Sequence, residues 1–285
     1  MHWEGDGKAM RFLESLIYGF LSGLAEFLPV SAQAHEALVM QLFGRTQREP
    51  LRDLFVHIAL IVALTMAAGS LFAKIRGVQK ISAHTGLRGV RSATAKSLFD
   101  LQLVRTAAIP MILMTVVYLL AAKWEFAPGA MAIILILNGI LIIVPEYMRH
   151  GNKDARSLTA FESVVIGIAS GLSAFPGISR VGGCLSASSA MGADRQHSAA
   201  WALLLSLPAL VAYIVVDIIR LFVIGLSGLR FLVFLGYIVS AGMAFVGGYL
   251  SVLLLRFVIE RRGLSSFAFY SWGMALFVFV LYLIT

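Results

Sequence analysis

Charged side chains are scarce. Asp, Glu, Lys and Arg together make up 13% of the 285 residues, where a soluble domain carries about 25%. So little polar material cannot cover a water-soluble globule, and a hydrophobic content of 59% excludes a disordered chain. Cysteine is nearly absent. Cys184 stands alone, which excludes an internal disulfide framework and any multi-cysteine zinc site. Acidic residues are few, 15 against 23 Lys and Arg, and leave a net charge of +8. In a soluble chain that excess would point to nucleic acid. In so apolar a chain it follows from Lys and Arg held in cytoplasmic loops, so no nucleic-acid partner is expected. A clean N-terminal apolar run is also missing, because Glu14 and Glu26 interrupt it. The segment therefore reads as part of the mature chain, not a cleaved leader.

What the chain has is membrane length. A span needs about 20 apolar residues, and six segments qualify or nearly so: 54–72, 106–122, 130–144, 202–219, 231–255 and 266–284. The third is short but extends past Pro145. The expectation is an all-α polytopic membrane protein forming a single membrane domain over 1–285, with six full transmembrane helices.

Two further apolar stretches do not read as spans. Residues 12–43 contain Glu14, Glu26, Pro29, Gln33, His35 and Glu36, and residues 158–192 contain Glu162, Pro176, Arg180 and several glycines. Each has the length to enter the membrane, break and return as a re-entrant helical hairpin. Broken backbone at membrane depth survives only when buried in protein or lining a wet cavity, so these hairpins hold the candidate site. The loop 73–105 carries Lys74, Arg76, Lys80, Arg88, Arg91, Lys96 and Arg105 against Asp100 alone, and is placed in the cytoplasm. Alternating the spans from there puts 14 of the 23 basic residues inside and 8 outside, with Arg180 in the membrane. Both termini then lie outside, and Trp124 sits near the outer interface of an inner membrane.

The two hairpins are related. ESLIYGFLSGLAEFLPVS (14–31) aligns with ESVVIGIASGLSAFPGIS (162–179) at a constant offset of 148, with eight of 18 positions identical. The segment 54–72 maps by the same offset onto 202–220. Repeat one covers about 12–144 and repeat two about 158–284. Three spans separate the hairpins, an odd number, so the repeats are inverted. Inverted repeats with broken helices place a polar site at their interface near mid-bilayer, which brings Glu26 and His35 toward Arg180.

Arg180 lies in FPGISRVGGC. An arginine at membrane depth is costly and usually functional, and its planar guanidinium matches phosphate oxygens. Gly177, Gly182 and Gly183 would let backbone amides approach an anion at a helix start. The bland alternative is a structural ion pair with Glu26. Glu26 itself suits a divalent-metal ligand, a general base or a counter-ion. His35 follows the Pro29 break and suits proton transfer or a buried hydrogen bond. Ser31 and Ser179 suit phosphate ligation, a nucleophile or simple helix breaks. Glu36 and His57 are further lining candidates. Asp217 and Arg220, spaced i, i+3, read as a structural pair.

At these residues the chain resembles the undecaprenyl-diphosphate phosphatase family, also known as the bacitracin-resistance family. Ser22–His35 reads SGLAEFLPVSAQAH against a family motif near EGxxEFLPVSSTGH. Pro176–Cys184 reads PGISRVGGC against PGxSRSGxT. The likeness covers nearly the whole chain, including RRGLSSFAFYSW near its end. The resemblance implies a membrane phosphohydrolase that removes one phosphate from a polyprenyl diphosphate at the outer face of a bacterial inner membrane, recycling the lipid carrier for cell-wall synthesis. It implies a divalent cation, Mg2+ or Ca2+, held at Glu26. Taken with the reading of the residues themselves, it places Glu26, His35 and Ser31 in catalysis, and Arg180, Ser179, Gly177, Gly182, Gly183, Gln33 and His57 in substrate binding. A homodimer is left open.

The departures are specific. The first motif glutamate is Ser22, the second serine of the motif (a proposed nucleophile in the family) is Ala32, and Gln33, Ala34 and Val181 also differ from it. Ala32 cannot act as a nucleophile, so attack would come from water or Ser31. These losses keep a second reading open, a catalytically impaired relative that binds or flips a phosphorylated lipid.

Overall fold

The computed structural model describes residues 3–45, 47–69, 101–121, 128–148, 151–153, 157–224, 231–261 and 263–284. Residues 73–100 of the expected cytoplasmic loop lie outside these, as do the last residues of the first expected span, 70–72, and Trp124. Ten α-helices run in order among the described residues: α1 (Trp3–Glu26), α2 (Ala32–Leu42), α3 (Pro50–Ala67), α4 (Leu101–Ala121), α5 (Pro128–Tyr147), α6 (Ala160–Gly171), α7 (Arg180–Ala190), α8 (Arg195–Ile224), α9 (Phe231–Arg261) and α10 (Ser265–Ile284). A 3-10 turn, Leu172–Ala174, closes α6. Lys153 and Ala193 form an isolated bridge in place of any strand among the described residues.

Among the described residues, five helices are long and apolar enough to cross a membrane: α3, α5, most of α8, most of α9, and α10. They match five of the six expected spans, with α5 continuing through Pro145 as anticipated. The sixth corresponds to α4, whose described apolar part is Val104–Val117. The chain is therefore an all-α polytopic membrane protein. Its outward apolar residues, such as Ile136, Phe222, Leu276 and Leu283, are exposed to what would be lipid.

The two irregular stretches fold as helix–break–helix units. At 1.5 Å per residue, α2 (11 residues) and α7 (11 residues) are about 16 Å long, half of a hydrocarbon core of about 30 Å. Each starts at a serine in extended conformation. Ser31 Oγ accepts the amide of Ala34, and Ser179 Oγ accepts the amide of Gly182. An N-cap satisfies amides that a helix start leaves open. The offset of 148 thus relates the helices as well as the letters, since Ala32–Leu42 falls on Arg180–Ala190.

Packing follows the same relation. Helix α1 lies against α9, and α6 lies against α4. A Cβ at Gly19 or Gly23 would strike the carbonyls of Ser240 and Ala244 on α9. A Cβ at Gly167 would strike the carbonyl of Ala107 on α4, and one at Gly171 would crowd Met111. Both helices carry glycines four residues apart, and both use them to seat a neighbouring backbone. Apolar side chains gain nothing by leaving lipid for protein, so close backbone approach through small residues drives such pairs. Helix α3 also packs on α9 and α8 on α4, while α3–α8 and α5–α10 pair equivalent helices of the two repeats.

Candidate active site

The breaks of the two hairpins meet. The amide of Gly177 donates to Ser31 Oγ at 3.0 Å, and Ser179 Oγ donates to the carbonyl of Leu28 at 3.1 Å. The amide of Ser179 is also held by Asn138 Oδ1 of α5 at 2.8 Å. Gly177 has φ +114, a conformation open to glycine and strained for other residues. The serines therefore cap their own helices and staple the opposite hairpin. Ser31 is fully buried, with its oxygen accepting two amides.

Beside this staple lies a polar cavity of about 530 Å³, its open mouth included. Its floor is the pair predicted from sequence. Arg180 Nη2 donates to Glu26 Oε1 at 2.7 Å, to the Glu26 carbonyl at 3.3 Å and to Ser206 Oγ at 3.2 Å. Both side chains are over nine-tenths buried. Arg180 Nε has no hydrogen-bond partner among the described residues. Gln33 and His57 line the same cavity, as does Ala32, the position of the missing serine. Gln33 Nε2 donates to Tyr213 at 3.4 Å, and Gln33 Oε1 is buried without a partner among the described residues.

Other expected site residues lie elsewhere. The amide of Gly182 is held by Ser179 Oγ and that of Gly183 by the Ser179 carbonyl at 2.8 Å. A Cβ on Gly183 would strike the Ala169 carbonyl. These glycines serve helix capping and α6–α7 packing, so the amide cradle expected at Arg180 is not formed by them. His35 faces away from the Glu26–Arg180 cavity. Its Nδ1–H donates to the Ser31 carbonyl at 2.6 Å, since a carbonyl only accepts. In the neutral ring, Nε2 then accepts the Tyr270 hydroxyl at 2.6 Å. Both nitrogens are occupied, and the ring lines an apolar groove with Leu21, Leu28 and Phe267. Ser22 is fully buried with its Oγ unpartnered among the described residues, and does not reach the cavity.

The cavity also contains residues that were not expected in it from sequence. Asp217, expected to pair with Arg220, binds His57 Nδ1 at 2.7 Å. Tyr213 stacks on His57, with ring centroids 5.1 Å apart and 19° between planes. Glu36 pairs with Arg48 at 2.9 Å, and Arg220 completes the mouth. Burial alone would lower the Arg48 pKa; Glu36, Tyr18 and Asp53 outweigh it and raise it. A signal for α8 was present. Ser206, Tyr213, Asp217 and Arg220 fall on one helical face at steps of seven, four and three.

Behind the mouth, Glu14 binds Arg45 at 2.7 Å and Arg52 at 3.1 Å. Tyr18 donates to Asp53 at 2.6 Å, with the Arg52 guanidinium 3.7 Å over its ring. This network ties α1 to the start of α3. Among the described residues no three His, Cys, Asp or Glu converge as a metal cage.

The cavity brings three arginines and a histidine against three carboxylates among apolar helices, an arrangement suited to a polyanionic headgroup. Known proteins agree with that chemistry. Residues 15–277 match the family described as bacitracin resistance protein BacA. An undecaprenyl-diphosphatase of Treponema denticola is 31% identical over 92% of this chain and 94% of its own length. Proteins of the same name from Carboxydothermus hydrogenoformans and Methanobrevibacter smithii are 26% and 28% identical, each over 95% of this chain and 98% of their own length. With the match covering all but the ends, the chain belongs to the BacA bacitracin-resistance family.

Proposed function

We propose that this protein is an undecaprenyl-diphosphate phosphatase, hydrolysing the terminal phosphate of a polyprenyl diphosphate within the membrane. The observation that carries the reading is the buried Glu26–Arg180 pair at the floor of a polar cavity, joined to membership of a family whose named relatives are called undecaprenyl-diphosphatases. The losses at Ser22 and Ala32 do not favour the lipid-moving alternative over this one, because Arg180, Glu26 and the meeting hairpins are kept.

Arg180 offers its unpartnered Nε–H to a phosphate oxygen, while Nη2 stays on Glu26. Oriented charge of this kind in a water-poor site stabilises the negative charge that gathers on the transferred group. Arg48 and Arg220 hold the second phosphate at the mouth. Ala32 has no hydroxyl, so water supplies the attacking oxygen. A divalent cation fits as a partner of the diphosphate: Glu26 and the unpartnered Gln33 Oε1 offer two oxygens, with phosphate oxygens as further ligands. When bound, it adds positive charge opposite the phosphates.

The two halves lie inverted in the bilayer. The cavity mouth, marked by Arg48 before α3 and Arg220 late in α8, lies at the end of α3 opposite the basic loop that follows it. With that loop cytoplasmic, the site opens to the outer face of a bacterial inner membrane.

The test is phosphate release from undecaprenyl diphosphate by purified protein in detergent, with Mg2+, Ca2+ or EDTA, beside an Arg180→Ala control. Release that depends on Arg180 and on the cation is expected. No release with any divalent cation, at a level equal to the control, overturns the reading.

A further inference from the structure

Resting on the phosphatase reading above, we infer that His57, oriented by Asp217, is the proton-transfer residue of this chain. The motif histidine, His35, is committed at both nitrogens to Ser31 and Tyr270, and Ala32 brings no hydroxyl to the cavity. A phosphatase that uses water still needs a base within reach of it.

His57 has that geometry. Its Nδ1 lies 2.7 Å from Asp217 Oδ2. A carboxylate accepts, so Nδ1 carries hydrogen and the neutral ring keeps its lone pair on Nε2. No described protein group is assigned to Nε2, and the side chain lines the same cavity as Arg180 and Ala32. Tyr213 stacks on the ring and fixes its plane. A carboxylate on Nδ1 with the opposite nitrogen presented to a reacting oxygen is the arrangement that makes histidine a general base. Asp217 acts through the histidine and is a positioning residue.

The step balances as follows. Water oxygen attacks the terminal phosphorus, and one water proton passes to His57 Nε2. The bond from that phosphorus to the bridging oxygen breaks, leaving polyprenyl phosphate and inorganic phosphate. The imidazolium formed is stabilised by Asp217 and returns its proton to bulk through the mouth.

Several charged groups face His57 and shape its titration. Asp217, Arg220 and Tyr213 come from α8, Glu36 from α2, Arg48 from the segment before α3, and Asp53 from its own helix. On α9, Tyr237 stands near Glu49 at the same end.

The experiment measures kcat and KM for undecaprenyl diphosphate from pH 5 to 9 in wild type, His57→Gln, Asp217→Asn and Arg180→Ala. Wild-type release that vanishes in Arg180→Ala establishes the phosphatase reading by itself. Given that, His57→Gln is expected to lower kcat by about 10²–10⁴-fold, with KM changed little, and to erase the acidic limb of the rate profile. Asp217→Asn is expected to move that limb to lower pH, because a neighbouring carboxylate favours the protonated ring. Reduced folding alone would scale the rate without moving the limb. If His57→Gln keeps the wild-type kcat, or if the limb stays in place in both variants, His57 is not the base while the phosphatase reading stands. If His57→Gln does not fold, the limb in Asp217→Asn decides the matter alone.

Discussion

Arg180 closes on Glu26 at 2.7 Å across 154 positions of sequence, with both side chains over nine-tenths buried. Removing one member strands the other charge, at a cost of about 3–5 kcal/mol, whereas replacing both with apolar side chains of similar volume is often neutral. Arg180→Ala is therefore expected to lower the thermal midpoint in detergent and abolish phosphate release. Glu26→Leu with Arg180→Met should regain most of the midpoint and none of the release. A double variant as unstable as the single one would mean that the pair holds the hairpins together by more than charge.

His35 and Tyr270 act as one link between α2 and α10. A single hydrogen bond contributes about 0.5–1.5 kcal/mol. Tyr270→Phe and His35→Asn are each expected to lose stability in that range. Their combination should fall short of additivity, as contacting pairs do. Denaturation of the four proteins measures this; strict additivity would deny the contact.

Ala32 lines the cavity, so restoring a hydroxyl there is tolerated and useful. A hydrogen bond to a charged oxygen is worth about 1.5–3 kcal/mol. Ala32→Ser is expected to raise kcat/KM by about tenfold or more. Ser22→Glu is expected to fail, because Ser22 is fully buried away from the cavity and an unpaired carboxylate there is costly. Activity assays with midpoint measurements on each variant separate the two effects.

The glycine contacts of α1 and α6 make paired predictions. Gly19→Leu and Gly167→Leu would drive side-chain atoms into the Ser240 and Ala107 carbonyls. Overpacking of this kind costs about 1–3 kcal/mol or more. Both variants should lose monodisperse protein on size-exclusion chromatography, while Gly242→Leu, at a site with open space around it, should not.

Asp194 caps α8, accepting the amides of Gln196 at 2.8 Å and His197 at 3.4 Å. Burial pushes its pKa up, but these amides and His197 outweigh it and hold the carboxyl below its ordinary value. A depressed folded-state pKa contributes stability that is present above the unfolded value of about 3.9 and lost as pH falls through the folded one. Asp194→Asn should reduce the loss of stability on acidification below about pH 4. Acid unfolding curves of both proteins give the comparison.

Much of the fold was readable one segment at a time. The scarcity of charge and the apolar run lengths located the helices, because a bilayer sets their length and composition directly. The 148-residue offset held down to Ser31 and Ser179, since an N-cap is local chemistry. Glu26 facing Arg180 was also legible, because two costly charges at membrane depth have few other ways to be satisfied.

The sequence by itself determined a membrane-embedded helical chain with two broken hairpins and one arginine among them. Only the tertiary structure decided that Asp217 meets His57 of α3, that His35 faces Tyr270 away from the cavity, and that the glycines after Arg180 seat α6 instead of an anion. The physical reason is rotation. Each residue advances about 100° around a helix, so periodicity fixes which side chains share a face. The helix that a face meets is settled by crossings between elements more than a hundred residues apart.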